Sequence, residues 1–319
     1  MNPVLLSPAF KDYLWGGTKL KTQFGKKCDL DIVAESWELS THKDGQSIIA
    51  SGDDKGLTLS EYISKHGEDI LGSNAKNFEY FPILIKLIDA KQSLSIQVHP
   101  SDDYALKNEG EYGKTEMWYI VDAEPGASLY YGLNQTISKD EFRKRIENNT
   151  LLEVLNKVEV HKGDVFFINS GTIHAIGEGI LICEIQQNSN TTYRVYDYDR
   201  RDAQGNPREL HIEKAIDVSD LFPVPEKEDL GGVQAFDGYT KESLAKCGYF
   251  SVDKLDIDTS ASFEVTDESF RSVVITEGSG TLVADDFEIS FKAGDSIFIP
   301  AQNKIYTIKG SCQAIISYV

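Results

Sequence analysis

The chain has 319 residues, 40% of them hydrophobic and 26% charged, with a formal net charge of −19; this is a globular composition long enough for two modest domains. Such acidity repels nucleic acid and anionic membrane, so neither is expected as a partner, and an anionic substrate needs local cations or a metal to overcome the background field. Residues 1–8 lack the basic start and apolar run of a signal peptide, no segment reaches transmembrane length, and Cys28, Cys183, Cys247 and Cys312 form no CxxC pair, which together point to reduced thiols and a cytoplasmic protein.

The 25 Gly, 15 Tyr and 15 Phe against 2 Met lean toward strands and turns. Residues 35–40 and 46–50 read as two strands joined by a turn at Asp44-Gly45, and residues 60–66 as a helix opening on Ser60. Residues 81–89, 94–99 and 115–121 read as strands, with a short capped helix over 101–107 between the last two. One amphipathic helix is expected from Ser138 to about Asn156, then strands near Val158 and over 165–169, 181–187 and 192–198. Prolines, glycines and charges over 221–235 mark a linker or crossover. Strands then resume to Val319, with turns at 277–280 and 285–286.

One stretch repeats. Residues 162–170 (KGDVFFINS) align with 293–301 (AGDSIFIPA), each a Gly-Asp turn, a strand and a polar or proline break. The first copy continues to Gly171-Thr172-Ile173-His174, the second to Gln302-Asn303-Lys304-Ile305. Two small β-barrels are expected, only the first carrying the histidine.

Alternate residues of a strand share a face. Gln97 and His99 therefore project together, as do Lys114 and Glu116, and His174 follows the first Gly-Asp strand. If these strands are neighbours, Gln97, His99, Glu116 and His174 converge. Two imidazoles, a carboxylate and an amide oxygen suit zinc or another borderline divalent metal with room for water or substrate. On spacing alone the metal reading and the packed-histidine reading stand level. His42, His66, His161 and His211 have no partners at useful spacing.

Other stretches carry a resemblance. Gly163-Asp164 through His174 resembles the second conserved stretch of cupins. Gln97-Val98-His99-Pro100, Gly113-Lys114-Thr115-Glu116-Met117-Trp118-Tyr119 and Thr191-Thr192-Tyr193-Arg194-Val195-Tyr196-Asp197 resemble the signatures of type I mannose-6-phosphate isomerases in their short bacterial form. Trp15-Gly16-Gly17 and Glu35-Ser36-Trp37-Glu38 fit the same family. The resemblance covers residues 1 to about 215 well and the remainder as a degenerate second cupin.

It implies a mainly β chain of two cupin-type jelly-roll barrels with a few short helices. A metal-binding catalytic domain would span 1–225 and a degenerate one, without metal ligands, 226–319. It implies one zinc held by Gln97, His99, Glu116 and His174, and interconversion of mannose 6-phosphate and fructose 6-phosphate through a zinc-stabilised enediol(ate). Residues matching Lys86, Lys114 and Arg194 would surround the sugar phosphate. A non-catalytic sugar-phosphate-binding cupin is the alternative; an iron oxygenase would want more histidines.

Lys114 shares a strand face with a proposed ligand, which suits an acid/base or charge-stabilising role; an exposed lysine after Gly113 is the bland alternative. Whether the base is that lysine or a zinc-bound water stays open. Arg194 offers a planar fork for phosphate or sugar oxygens, and without the resemblance reads better as a salt bridge to Asp197 or Asp199. Lys86 interrupts an apolar strand and points either to solvent or inward. Glu184 and Gln186 alternate with Cys183 and Ile185 and are weaker candidates for sugar hydroxyls. Trp15, Trp37 and Trp118 read as core. Two departures from longer relatives are visible: only a short helical piece between Tyr119 and His161, and Asn190 where an acidic residue precedes the family arginine by four positions.

Overall fold

A computed structural model describes residues 1–201, 204–225 and 229–319. The chain is mainly β, with a few short helices, and among the described residues no helix is long and apolar enough to cross a membrane. It divides into two compact units, one formed by Met1–Asp12, Thr18–Leu87 and Glu228–Val319, the other by Tyr13–Gly17 and Ile88–Lys227. The boundary expected between 225 and 226 falls at residues 226–228, outside those described.

In the first unit a ten-stranded sheet takes in strands from both ends of the chain. Val4–Ser7 lies antiparallel to Ser296–Ile299, Val4 opposite Phe298, and on its other side pairs with Ile48–Ile49. Residues 35–40 and 46–50 therefore do not pair as strands, although the Ser47 amide donates to the Ser40 carbonyl at 2.9 Å: Glu35–Leu39 pairs instead with Ala9–Lys11. The alternation in Val4–Ser7, with Val4 and Leu6 buried and Ser7 exposed, is too short to announce a strand, yet it supplies the partner of Ile48–Ile49, while Ala9–Lys11 takes the edge of Glu35–Leu39. The helix Leu59–His66 starts one residue earlier than expected. Thr58 and Glu61 form a reciprocal cap, Thr58 Oγ1 accepting from the Glu61 amide at 3.2 Å and Glu61 Oε2 accepting from the Thr58 amide at 2.8 Å, which makes Thr58 the N-cap and Leu59, not Ser60, the first helical residue.

The two longest strands, Arg271–Ala284 and Lys304–Tyr318, run side by side. The turn expected at 277–280 does not form. The strand continues through it, with a register shift between Ile275 and Glu277. Gly278 sits at φ +74°, and a Cβ there would lie 2.0 Å from the Ser311 carbonyl oxygen. Its glycine serves close approach of two backbones at a bulge, not a reversal. The turn at 285–286 is present, with Asp285 at φ 47°.

The second unit holds a five-stranded sheet in the order Tyr193–Tyr196, Ile96–Val98, His174–Ala175, Ser128–Leu133, Leu155–Glu159. Facing roles follow from alternation. Ile96, Val98, Tyr193 and Val195 are buried in one cluster with Phe142, Ile146, Ala215 and Ile216, so the helices Lys139–Glu147 and Ile212–Val218 cover that face. Full burial of Phe142 contributes about 2–3 kcal/mol. Gln97 and Arg194, the residues between, project from the other face. The helix expected to reach Asn156 stops at Glu147 because Asn149 turns left-handed at φ 56°; a short 3-10 turn, Leu151–Val154, follows. Val165–Ile168, Glu116–Ala123 and Ile180–Gln187 pair antiparallel in a second sheet.

Candidate metal centre

Register assembles the centre. His174 lies directly opposite Gln97, and Gln97 opposite Arg194. Directly opposed residues share a face, so Arg194, Gln97 and His174 form a row across three strands. His99 follows the end of Ile96–Val98 on the same face as Gln97. Glu116 opens the strand Glu116–Ala123, with Gln186 opposite it and Glu184 opposite Trp118.

His99, Glu116 and His174, all buried, each bring one ligand atom to within 4.8 Å of the others. His174 Nε2 stands 3.4 Å from Glu116 Oε1 and His99 Nε2 3.8 Å from Glu116 Oε2. A tetrahedral ion with bonds of about 2.1 Å holds its ligand atoms about 3.4 Å apart. Both tautomers are set from behind. His99 Nδ1 lies 2.8 Å from the Thr191 carbonyl and His174 Nδ1 2.8 Å from the Thr172 carbonyl. A carbonyl only accepts, so each Nδ1 carries the hydrogen and each Nε2 presents a lone pair inward. Burial, reinforced by the charge of Lys114, pushes the His174 imidazole down to about 3, so it stays neutral, the form a metal requires. The donor set fits a divalent cation.

A cation already lies against these groups. Lys114 Nζ donates to Glu116 Oε2, sits 3.2 Å from His99 Nε2, and is 3.8 Å from Glu184 Oε1. Lys114 is 4% exposed, which disposes of the exposed-lysine alternative. The turn before it is held tightly. Gly113 donates to Asp102 Oδ1 at 2.7 Å, and a Cβ on Gly113 would lie 2.5 Å from the Asp102 nitrogen. Gln187 bridges the same Asp102 to the Thr115 amide, at 2.8 and 2.9 Å.

The other sequence candidates fall in different places. Gln97 adjoins the group with its amide nitrogen, 3.5 Å from His174 Nε2; a half-turn of the amide presents the oxygen instead. Glu184 faces it too, its Oε2 accepting from Trp118 Nε1 at 2.9 Å. Arg194 makes no salt bridge to Asp197 or Asp199 among the described residues, contrary to the reading from sequence alone: Asp197 is taken by Arg200 and Arg208, and Asp199 by Arg201. Arg194 instead donates to Ser95 Oγ at 3.2 Å and to the Glu209 carbonyl at 2.9 Å. Burial first, then Arg208, hold its pKa below the ordinary arginine value. Lys86 belongs to the other unit; it is 4% exposed, 3.6 Å from Glu35 Oε2 and over the Trp37 ring at 5.1 Å. Its inward orientation decides a question the sequence left level. All three tryptophans are buried.

Some contributors left no trace in residue type. The Thr191 and Thr172 carbonyls that orient the histidines are backbone groups. At Asn190 a carboxylate arrives from elsewhere in the chain: Glu111 Oε2 accepts from the Asn190 amide at 3.2 Å and from Thr191 Oγ1 at 3.3 Å, steadying the loop that holds His99. The carboxylate spacing from Glu111 to Asn190 is too long for any local pattern to reveal.

The family model for the phosphomannose isomerase type I catalytic domain matches residues 4–124, and that for the mannose-6-phosphate isomerase cupin domain matches 240–319. Mannose-6-phosphate isomerase ManA of Bacillus subtilis is 41% identical over 319 residues, covering 100% of this chain and 99% of that protein. Mannose-6-phosphate isomerase of Streptococcus mutans is 37% identical over 321 residues, covering 99% and 98%. The crystal structure of the Bacillus subtilis mannose 6-phosphate isomerase superposes with a TM-score of 0.92 at 40% identity, over 100% of both chains.

Proposed function

This chain belongs to the type I phosphomannose isomerase family, and from that premise we infer that it interconverts mannose 6-phosphate and fructose 6-phosphate with one zinc ion held by Gln97, His99, Glu116 and His174. The observation that carries the reading is the convergence of two imidazoles and a carboxylate within 4.8 Å, with a buried lysine beside them. The cysteine usage and the acidic composition suit a cytoplasmic enzyme, and we read its two parts as cupin barrels, with catalysis in residues 1–225 and the degenerate copy in 226–319.

Bound zinc would supply Lewis-acid polarisation of the oxygens on C1 and C2, the carbons between which the proton moves, and residual positive charge for the enediolate. The chain supplies the rest. Lys114 Nζ, fixed by Gly113, Asp102 and Gln187, is placed to give and take a proton or to stabilise the developing charge. Glu184, anchored by Trp118, accepts a sugar hydroxyl. Arg194 presents its fork to the phosphate, with Arg200 and Arg208 close enough to be felt. Lys86 assists binding of the anionic substrate.

The test is a coupled isomerase assay run beside elemental analysis, on wild type and on His174→Ala. Wild type is expected to carry one zinc per chain and turn over both sugar phosphates. The variant is expected to lose metal and activity while melting cooperatively. Stabilisation by mannose 6-phosphate without any turnover in metal-replete wild type would leave a binding protein and end the enzymatic reading; iron in place of zinc, with oxygen consumption, would end it as well.

A further inference from the structure

The internal repeat identifies a position in the C-terminal region that corresponds to Glu116. Aligning 162–170 with 293–301 sets Ile168 on Ile299. Ile168 pairs with Glu116 in its sheet, and Ile299 pairs with Arg271 in the other. The correspondence extends to the next strand. Trp118, two residues after Glu116, is opposite Glu184; Val273, two after Arg271, is opposite Ile316. Two positions on, Gln186 corresponds to Tyr318. The metal carboxylate of one copy is thus a guanidinium in the other, and the acidic neighbour is an isoleucine.

Arg271, Ile316 and Tyr318 line a cavity of about 330 Å³, the size of a monosaccharide derivative. Arg271 lies over the Tyr318 ring at 4.2 Å and donates through one nitrogen, Nη1, to the Ser269 and Phe270 carbonyls, each at 3.0 Å. No carboxylate among the described residues is within salt-bridge reach of it. The other charges of the lining do not cancel it. Asp253, 6% exposed, is already satisfied by Lys241 at 2.9 Å, Ser243 at 2.8 Å and Tyr318 at 3.2 Å, and Glu264 is exposed. Aromatic walls complete the cavity: Phe263, and Tyr239 stacked on Phe236 with centroids 4.8 Å apart. Arg271 is half-buried, and an arginine stays charged, so a partly desolvated cation faces a ring-sized space with apolar walls and hydroxyl-seeking groups at its side.

We propose that this cavity is a second, metal-independent binding site for a sugar phosphate, with the phosphate on Arg271 and the ring against Phe263 and Tyr239. The fork of Arg271 suits phosphate oxygens, the aromatic faces suit the apolar face of a hexose, and Lys241 and Asp253 stand where hydroxyls would lie. Ion-coordinating chemistry is replaced by direct anion recognition in the same place of the same architecture.

Isothermal titration of the full-length, metal-replete protein with glucose 6-phosphate, inorganic phosphate and neutral glucose tests this, on wild type, Arg271→Gln and Ser262→Trp. Ser262 is an exposed residue of the lining, and the bulkier side chain fills the cavity without disturbing the carbonyls that Arg271 holds. Each variant is expected to lose one binding event that wild type shows, weakened about tenfold or more, with turnover of mannose 6-phosphate unchanged. Inorganic phosphate is expected to compete for that event and glucose to miss it. Equal stoichiometry and affinity in wild type and Ser262→Trp would overturn the proposal, as would glucose binding as tightly as its phosphate or failure of inorganic phosphate to compete. If Arg271→Gln does not fold, Ser262→Trp decides.

Discussion

Glu116 and Arg271 hold one position in two copies of the same strand arrangement, and the contrast between them shows how a cupin sheet can be given opposite electrostatics. Around Glu116 stand two histidines with their Nε2 lone pairs inward and a lysine; around Arg271 stand a tyrosine ring, an isoleucine and an aspartate already satisfied. The strands, their pairing and the Gly-Asp turn persist in both. What changes is the charge at a few inward positions, so the backbone supplies the container and a handful of side chains decide whether it collects a cation or an anion.

The comparison breaks first at Glu116. Glu116→Gln keeps the shape and removes the charge; metal affinity is expected to fall by more than about a hundredfold, beyond what loss of an outer partner causes, and turnover with it, measured by elemental analysis and the coupled assay. Lys114→Met sharpens the division between holding the ion and doing the chemistry. Turnover should drop about 10²- to 10⁴-fold, the usual worth of a positioned acid or base, while zinc content stays at one per chain. Loss of metal in Lys114→Met would make the lysine part of the binding set. Glu111→Ala removes the clamp on the loop that carries the Thr191 carbonyl; metal affinity should weaken about tenfold, read by competition with a chelator.

In the other copy the equivalent disturbance is one of stability. Gly278→Ala forces a side chain into a left-handed conformation against the Ser311 carbonyl. It should destabilise by roughly 1–3 kcal/mol, seen as a lower melting temperature with zinc content and KM unchanged. The smallest effect is set by pH. Burial raises the Asp197 carboxyl, but hydrogen bonds from Arg208 and Arg200 outweigh it and hold the group below the ordinary carboxylate value. A carboxyl depressed in the folded state binds protons less than in the unfolded chain, so its stabilisation is present above about pH 4 and fades as pH falls through the lower, folded value. Asp197→Asn should therefore melt lower than wild type at pH 7, the gap closing toward pH 3. A gap that stays constant across this range would mean that the charge of Asp197 contributes nothing.

The sequence by itself determined the β character, the strands that carry Gln97 and Glu116, and the repeat, because alternation and turn residues are local signals; the two-residue strand His174–Ala175 was not among those expected. His99, Glu116 and His174 were legible as residue types at strand spacing, and the structure brings them together. Pairing partners were not legible. Nothing local says that Val4–Ser7 lies against Ser296–Ile299, that residues 277–280 continue a strand rather than reverse it, or that Arg194 leaves Asp197 to Arg200 and Arg208. Those outcomes are settled by competition among distant segments for the same edge or the same charge, and only the folded chain resolves such competition. The equivalence of Arg271 with Glu116 belongs to this second class: it is a fact of register between strands, and register exists only once strands have met.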